Sequence, residues 1–375
     1  MRPARPTVPR SGRRPRRLSW ALAIALAGLV VACGGGGGEP TPTPTVTPSS
    51  TPLAGSFSLE GLNHVSWWST EYQGSAASDA RTALSATGAN WAGVLVTWYM
   101  ATRDSPTIAP DGQRTPSDAA LSEAIRQLHG LGLKVMLKPH VDVNDQTWRG
   151  SIRPPDTGAW FASYQAYLSQ MARFAEAEKV EMLCVGTELA RLSGSDFRGQ
   201  WANAIAAVRA DFHGEISYAA NATYGGDEFS SVSFWDLVDY AGLDGYVPLT
   251  AKDDPSRAEL VSAWSRNRNG EDMLSAFRNW HGSHGRPVIF TEIGYRSAQG
   301  ANRAPWDYSV TAAYDPTEQA DCYYAAFAVW LPERSWMRGL FWWSWDVPRP
   351  SASDTGYSPW GKPAESVLRQ QFQVQ

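Results

Sequence analysis

Two apolar runs that each end in one glutamate constrain this chain more than any other feature of its sequence. They are Val288-Ile289-Phe290-Thr291-Glu292-Ile293-Gly294-Tyr295 and Met182-Leu183-Cys184-Val185-Gly186-Thr187-Glu188. Val, Ile and Phe favour extended backbone, and Gly294 breaks the first run. Each run reads as a buried strand that delivers a single carboxylate at its C-terminal end. A strand with almost no polar residues is covered on both faces, as in parallel sheets flanked by helices.

The rest of the chain repeats this design. Strands are expected at 61–68, 91–99, 134–142, 181–189, 215–221, 240–248, 287–295 and 339–346. Helical periodicity fills the gaps. Residues 117–131 place Ala120, Leu121, Ala124, Ile125 and Leu128 on one stripe, and 160–179 do the same with Tyr164, Tyr167, Leu168, Met171 and Phe174. Further helices are expected at 75–87, 195–212, 257–281, 316–331 and 363–372, with only a short one in 229–238. Eight strands alternating with helices predict an α/β fold, a (β/α)8 TIM barrel. An open doubly wound sheet would carry a glycine-rich phosphate loop after its first strand. Here the first strand runs into Ser66-Trp67-Trp68-Ser69-Thr70. Neither an internal repeat nor a second domain is visible.

The N-terminus reads differently. Seven arginines and no acidic residue precede an apolar stretch at 18–32. A basic segment followed by a short apolar one is an export signal, too short to span a membrane comfortably. Its end, Leu29-Val30-Val31-Ala32-Cys33, resembles a bacterial lipobox, which implies lipidation of Cys33. Residues 34–56 are rich in Gly, Pro, Thr and Ser and read as a tether. The expected organisation is therefore a signal at 1–33, a linker at 34–56 and one catalytic domain at 57–375. It implies an exported, membrane-anchored lipoprotein facing the periplasm or the cell surface, and a monomer.

Loss of the signal takes the formal charge from −4 to −11, with 26 Lys and Arg against 37 Asp and Glu. That acidity argues against a nucleic-acid partner. Cys184 falls in an expected strand, so a buried thiol is anticipated, and a disulfide to Cys322 stays open. No CxxC, zinc spacing, HExxH or Asp-rich calcium loop is present, so neither metal nor cofactor is expected. A GxSxG elbow is also missing.

In a parallel barrel the strand C-termini converge on the face that carries chemistry. The fourth and seventh strands lie across the barrel from each other, which lets Glu188 and Glu292 face one another. Two carboxyl groups are what glycoside hydrolysis requires, and retaining enzymes hold them roughly 5–5.5 Å apart. Other pocket candidates sit at strand ends or just beyond. His140 could bind a sugar hydroxyl, Tyr246 could hold the nucleophile ionised, and Asn221 ends the fifth strand. The chain has 18 tryptophans, and indole faces stack on pyranose rings. Trp67, Trp68, Trp98 and Trp148 lie where subsites would form. Trp343 and Trp345 share one face of the eighth strand by alternation; one is expected to floor the pocket, with a core role open for the other. His281 and His284 fall in a Gly-rich turn on the opposite side of the barrel and read as surface residues.

These motifs resemble clan A glycoside hydrolases, in which the fourth strand ends with the acid/base Glu and the seventh with the nucleophile. The clan usually has Asn before the acid/base; this chain has Thr187 in Val185-Gly186-Thr187-Glu188-Leu189. That variant, with Phe290-Thr291-Glu292-Ile293-Gly294-Tyr295, Lys138-Pro139-His140 and Phe341-Trp342-Trp343-Ser344-Trp345, is similar to glycoside hydrolase family 113. The resemblance implies a retaining endo-β-1,4-mannanase, with Glu188 as acid/base and Glu292 as nucleophile. It also implies that a residue other than the shorter Thr187 contacts the sugar 2-hydroxyl. The alternatives are the same machinery on another β-glycan (glucan, xylan or an amino-sugar polymer) and a non-catalytic carbohydrate-binding lipoprotein.

Overall fold

A computed structural model describes residues 53–222 and 228–372. The export signal, Cys33 and nearly all of the expected tether lie outside the described residues. Eight strands form a closed, all-parallel barrel in chain order: β1 Leu59–His64, β2 Trp91–Met100, β3 Lys134–Val143, β4 Met182–Thr187, β5 Glu215–Asn221, β6 Tyr240–Asp244, β7 Val288–Ile293 and β8 Met337–Trp345. The helices are α1 Ser75–Ser85, α2 Asp118–Gly130, α3 Thr157–Ala177, α4 Arg198–Asp211, α5 Glu228–Ser231, α6 Arg257–Ala263, α7 Met273–His284, α8 Pro316–Trp330 and α9 Pro363–Phe372.

The helix starts follow from local chemistry. Ser117 accepts from the Ala120 N–H, Asp156 from Ala159 and Asp315 from Glu318, each satisfying a donor the helix leaves open. The helix expected over 257–281 is in fact two. Asn267 accepts from the Asn269 and Glu271 N–H groups, Gly270 adopts φ +82°, and Asp272 caps α7 afresh. His281 and His284 are in the last turn of α7 rather than in a turn beyond it. They stack on Trp336 and Trp280 with ring centroids 5.2 and 4.4 Å apart.

Inside the barrel, Leu59, Trp91, Met136, Met182, Cys184, Ala219, Ile289 and Phe341 form one apolar cluster. The alternate residues of each strand pack outward on the helices. Cys184 and Cys322 are both free and buried, so no disulfide joins them. Period-two alternation holds through most of the barrel; it slips once at the start of β8, where Met337 to Gly339 faces a single step of β7, and again on three strands near their C-terminal ends. Between Cys184 and Thr187, β4 advances three residues while β5 advances two. Between Phe290 and Glu292, β7 advances two while β6 advances one. Between Trp342 and Trp345, β8 advances three while β1 advances two. One extra residue on a strand re-aims every side chain beyond it, and such bulges favour barrel rims.

Candidate active site

The bulge on β7 turns two consecutive residues, Thr291 and Glu292, toward the barrel mouth. Thr291 donates to Asp244 at the end of β6 (2.7 Å). Glu292 Oε2 accepts from the Tyr246 hydroxyl (2.6 Å). Its Oε1 accepts from the Lys138 ammonium and lies 3.8 Å from His140 Nε2. Lys138 also reaches both oxygens of Asp244 (3.2 and 3.4 Å). Burial opposes the charge on Lys138, but Asp244 and Glu292 outweigh it and hold the ammonium above its ordinary value. Burial, then the charge of Glu292, pushes Asp244 well above the carboxylate range. Burial and Glu292 likewise raise Tyr246, which keeps its hydroxyl a donor.

Glu188 follows the bulge on β4 and has φ +51°, a left-handed conformation that costs a non-glycine residue roughly 1–3 kcal/mol. Two contacts from β5 hold it there. The Glu188 N–H donates to the Ala219 carbonyl (2.7 Å), and the Leu189 N–H donates to the Tyr218 hydroxyl (3.0 Å). Gly186 makes room for Tyr218, since a Cβ there would lie 2.6 Å from its ring. The Glu188 carboxylate accepts from Asn221 Nδ2 (2.8 Å), Trp148 Nε1 (3.2 Å) and Arg149 Nη1 (3.4 Å). Arg149 is held harder by Asp142, at 2.6 and 3.1 Å. Burial disfavours its charge, but Asp142 and Glu188 more than offset this. Its guanidinium also feels the charge of Glu292, and Asp244 feels that of Glu188.

His140 is 1% exposed, and neither ring nitrogen has a hydrogen-bond partner among the described residues. Burial, Arg149 and Lys138 push it well below its usual range, leaving a neutral imidazole. Its ring lies parallel to the Trp343 indole, with centroids 6.4 Å apart and 6° between planes. Trp67 meets the same indole edge-on at 6.1 Å. The structure thus brings together Glu188, Glu292, His140, Tyr246, Asn221, Trp148, Trp343 and Trp67.

Two expected pocket residues point elsewhere. Trp345 is fully buried, donates to the Ala80 carbonyl (2.8 Å) and stacks on Trp360. The extra residue on β8 puts it on the outer face, opposite to Trp343. Trp98 lies on the outward side of β2 and stacks on Tyr167 of α3 at 4.4 Å. The inward neighbours, Thr97 and Tyr99, take the pocket side. A paired substitution separates these roles. Trp345→Ala should lower stability by about 3–5 kcal/mol, whereas Trp343→Ala should melt within a few degrees of the parent and lose substrate affinity. Thermal melts set beside KM values decide it; equal melting of both variants would return Trp345 to the pocket.

Lys138, Asp244, Arg149 and Asp142 carry much of the site's electrostatics, and sequence reasoning assigned none of them a role. Asp244 had one available signal, a charge in an otherwise apolar strand, whereas Lys138 shares its strand with Lys134, His140 and Asp142. Arg149 lies in a loop and gave none.

The sequence pattern of Glycoside Hydrolase Family 113 matches residues 65–362. No curated protein sequence matches the chain. Among solved structures, the GH113 β-mannanase AaManA from Alicyclobacillus acidocaldarius, in complex with ManMIm, is similar at 29% identity and a TM-score of 0.75, covering 85% of this chain and 98% of that one. A GH113 β-1,4-mannanase complex is similar at 26% identity and the same TM-score, covering 85% and 100%. The match to a β-glucuronidase from Ruminococcus gnavus, at 12% identity and TM-score 0.57, covers 85% of this chain and 50% of that one and shows a shared fold alone. The matched segment runs from the end of β1 to the start of α9 and encloses the whole mouth of the barrel, so this chain belongs to glycoside hydrolase family 113 and is an enzyme of glycosidic bonds.

Proposed function

We propose that the protein is a retaining endo-β-1,4-mannanase in which Glu292 is the nucleophile and Glu188 the acid/base. The observation that carries this reading is the contrast between the two carboxylates. Glu292 accepts hydrogen bonds from the buried Lys138 ammonium and from the Tyr246 hydroxyl, which fix both of its oxygens in place, as an attacking group requires. Glu188 reaches the pocket beside the half-exposed Trp148, with its nearest cation committed more tightly to Asp142. One carboxylate attacks the anomeric carbon while the other gives a proton to the leaving oxygen and later takes one from water. His140, with both nitrogens unpaired beside Glu292, is placed to meet a sugar hydroxyl, and Trp343 offers a ring face between His140 and Trp67.

A chain-like substrate suits the surroundings. Trp148 is 48% exposed, and on the loop after β7 Trp306 and Tyr308 are 39% and 77% exposed. That loop is pinned. Arg296 donates to the carbonyls of Asp307 and Val310 (3.2 and 2.6 Å), and Tyr357, whose ring lies 6.2 Å from that of Tyr246, donates to the Pro305 carbonyl (2.6 Å). Mannose as the sugar is supported by the names of the similar structures, which are β-mannanases at 26–29% identity. The test is product release from a panel of soluble mannan, glucan, xylan and amino-sugar polymers, with NMR of the first-formed anomer. Oligosaccharides from mannan in the β configuration are expected. Release from another polymer alone would overturn the sugar, and an initial α product would overturn retention.

A further inference from the structure

A buried carboxyl group outside the reacting pair closes the network behind Glu188. Glu228, the first residue of α5, is 3% exposed. One of its oxygens accepts from the Tyr218 hydroxyl (2.5 Å) and the other from the Asn221 backbone N–H (2.7 Å). Both partners then reach Glu188. The Tyr218 hydroxyl accepts from the Leu189 N–H (3.0 Å), which fixes the peptide just after the left-handed Glu188. The Asn221 side chain donates to the Glu188 carboxylate (2.8 Å). The Tyr218 ring is itself wedged among Trp201, Phe234 and Trp235, with centroids 5.0–5.9 Å away. The hydroxyl therefore has one orientation to offer.

We propose that Glu228 is a positioning residue for the acid/base: it sets the backbone twist and the side-chain direction of Glu188 through Tyr218 and Asn221, without touching substrate. Only a carboxylate serves both donors at once. A glutamine presents one acceptor oxygen and one NH2 group, so either the Tyr218 hydroxyl or the Asn221 N–H loses its partner. Burial pushes the Glu228 carboxyl up to about 7, against hydrogen bonds, those from Tyr218 and the Asn221 N–H foremost, that favour its charge. Nothing in the network touches Lys138, Tyr246 or Glu292, so a disturbance here should spare the nucleophile.

That separation supplies the test, which rests on the acid/base role given to Glu188 above. Glu228→Gln in the full chain should lose roughly 10–100-fold in kcat/KM on soluble mannan, the scale of a small misplacement of a reacting group. The same variant should keep turnover within about 3-fold on dinitrophenyl β-mannobioside in the presence of azide. The dinitrophenolate leaves without a proton. Azide then forms a bond to the anomeric carbon of the glycosyl-enzyme as the ester bond to Glu292 breaks, which frees the Glu292 carboxylate and yields glycosyl azide, so neither step needs an acid or a base. A merely structural role would lower both reactions together. Tyr218→Phe gives the second reading should the first variant fold poorly, and it should show the same split. Equal losses on both substrates, or no loss on mannan, would overturn the proposal. An unmodified enzyme that cleaves a different polymer would refute the sugar instead, and the same pair of reactions made with that sugar would decide Glu228.

Discussion

Glu292→Gln should fold, melt within a few degrees of the parent, and turn over polysaccharide about 10⁴–10⁶-fold more slowly, the scale at which removal of a nucleophile acts in other enzymes. The amide is nearly isosteric and can still accept from Tyr246 through its oxygen. What it lacks is the charge and lone pair that form the glycosyl bond. Lys138 keeps Asp244 at 3.2 Å, so the ammonium is not left without a partner, and the large penalty of an unpaired buried charge does not arise. Intact-mass measurement with a slow-turnover fluorinated glycoside adds a second readout. The parent should gain one glycosyl unit and the variant none. Near-parental activity in the variant would remove Glu292 from the reaction altogether.

Glu188→Gln should lose about 10²–10⁴-fold on polysaccharide, the contribution typical of a positioned acid or base. The loss should shrink sharply on an aryl glycoside whose leaving group needs no proton. In that variant deglycosylation becomes limiting because no base activates water, and azide should restore the rate and yield a glycosyl azide with the anomeric configuration of the substrate. The parent should show no azide acceleration. Glu188 hydrogen-bonds Asn221, Trp148 and Arg149, all of which donate, so a glutamine NH2 group meets at least one of them unfavourably. Some loss of affinity is expected alongside the loss of rate. A variant that is equally impaired on both substrates and indifferent to azide would show that Glu188 is not the acid/base.

The two predictions rest on residues that were legible from the chain alone, and the physical reason is that they terminate long apolar runs. Burial on both faces of a barrel strand demands uncharged sequence, so a single acid at its end stands out. The same logic exposed eight strands, most helices and the pocket positions of His140, Asn221 and Tyr246. Capping signals were equally local. The break between α6 and α7 was written in Asn267, Gly270 and Asp272, though the apolar periodicity on either side obscured it.

What the linear pattern does not carry is the relative advance of neighbouring strands. Alternation assigns faces only while two strands keep step, and the inserted residues on β4, β7 and β8 are visible only when each strand is laid beside its partner. They aim Glu292 and Thr291 together at the mouth, twist Glu188 into a left-handed backbone and send Trp345 outward while Trp343 stays in. Pairings between distant elements are equally invisible in one dimension. Lys138 meets Glu292 across 154 positions of sequence, and Arg149 reaches Glu188 from a loop with no periodicity to read. The amino-acid order dictated which carboxylates the barrel would present and on which strands. The closed sheet, through its register, decided how they point and which charges stand beside them.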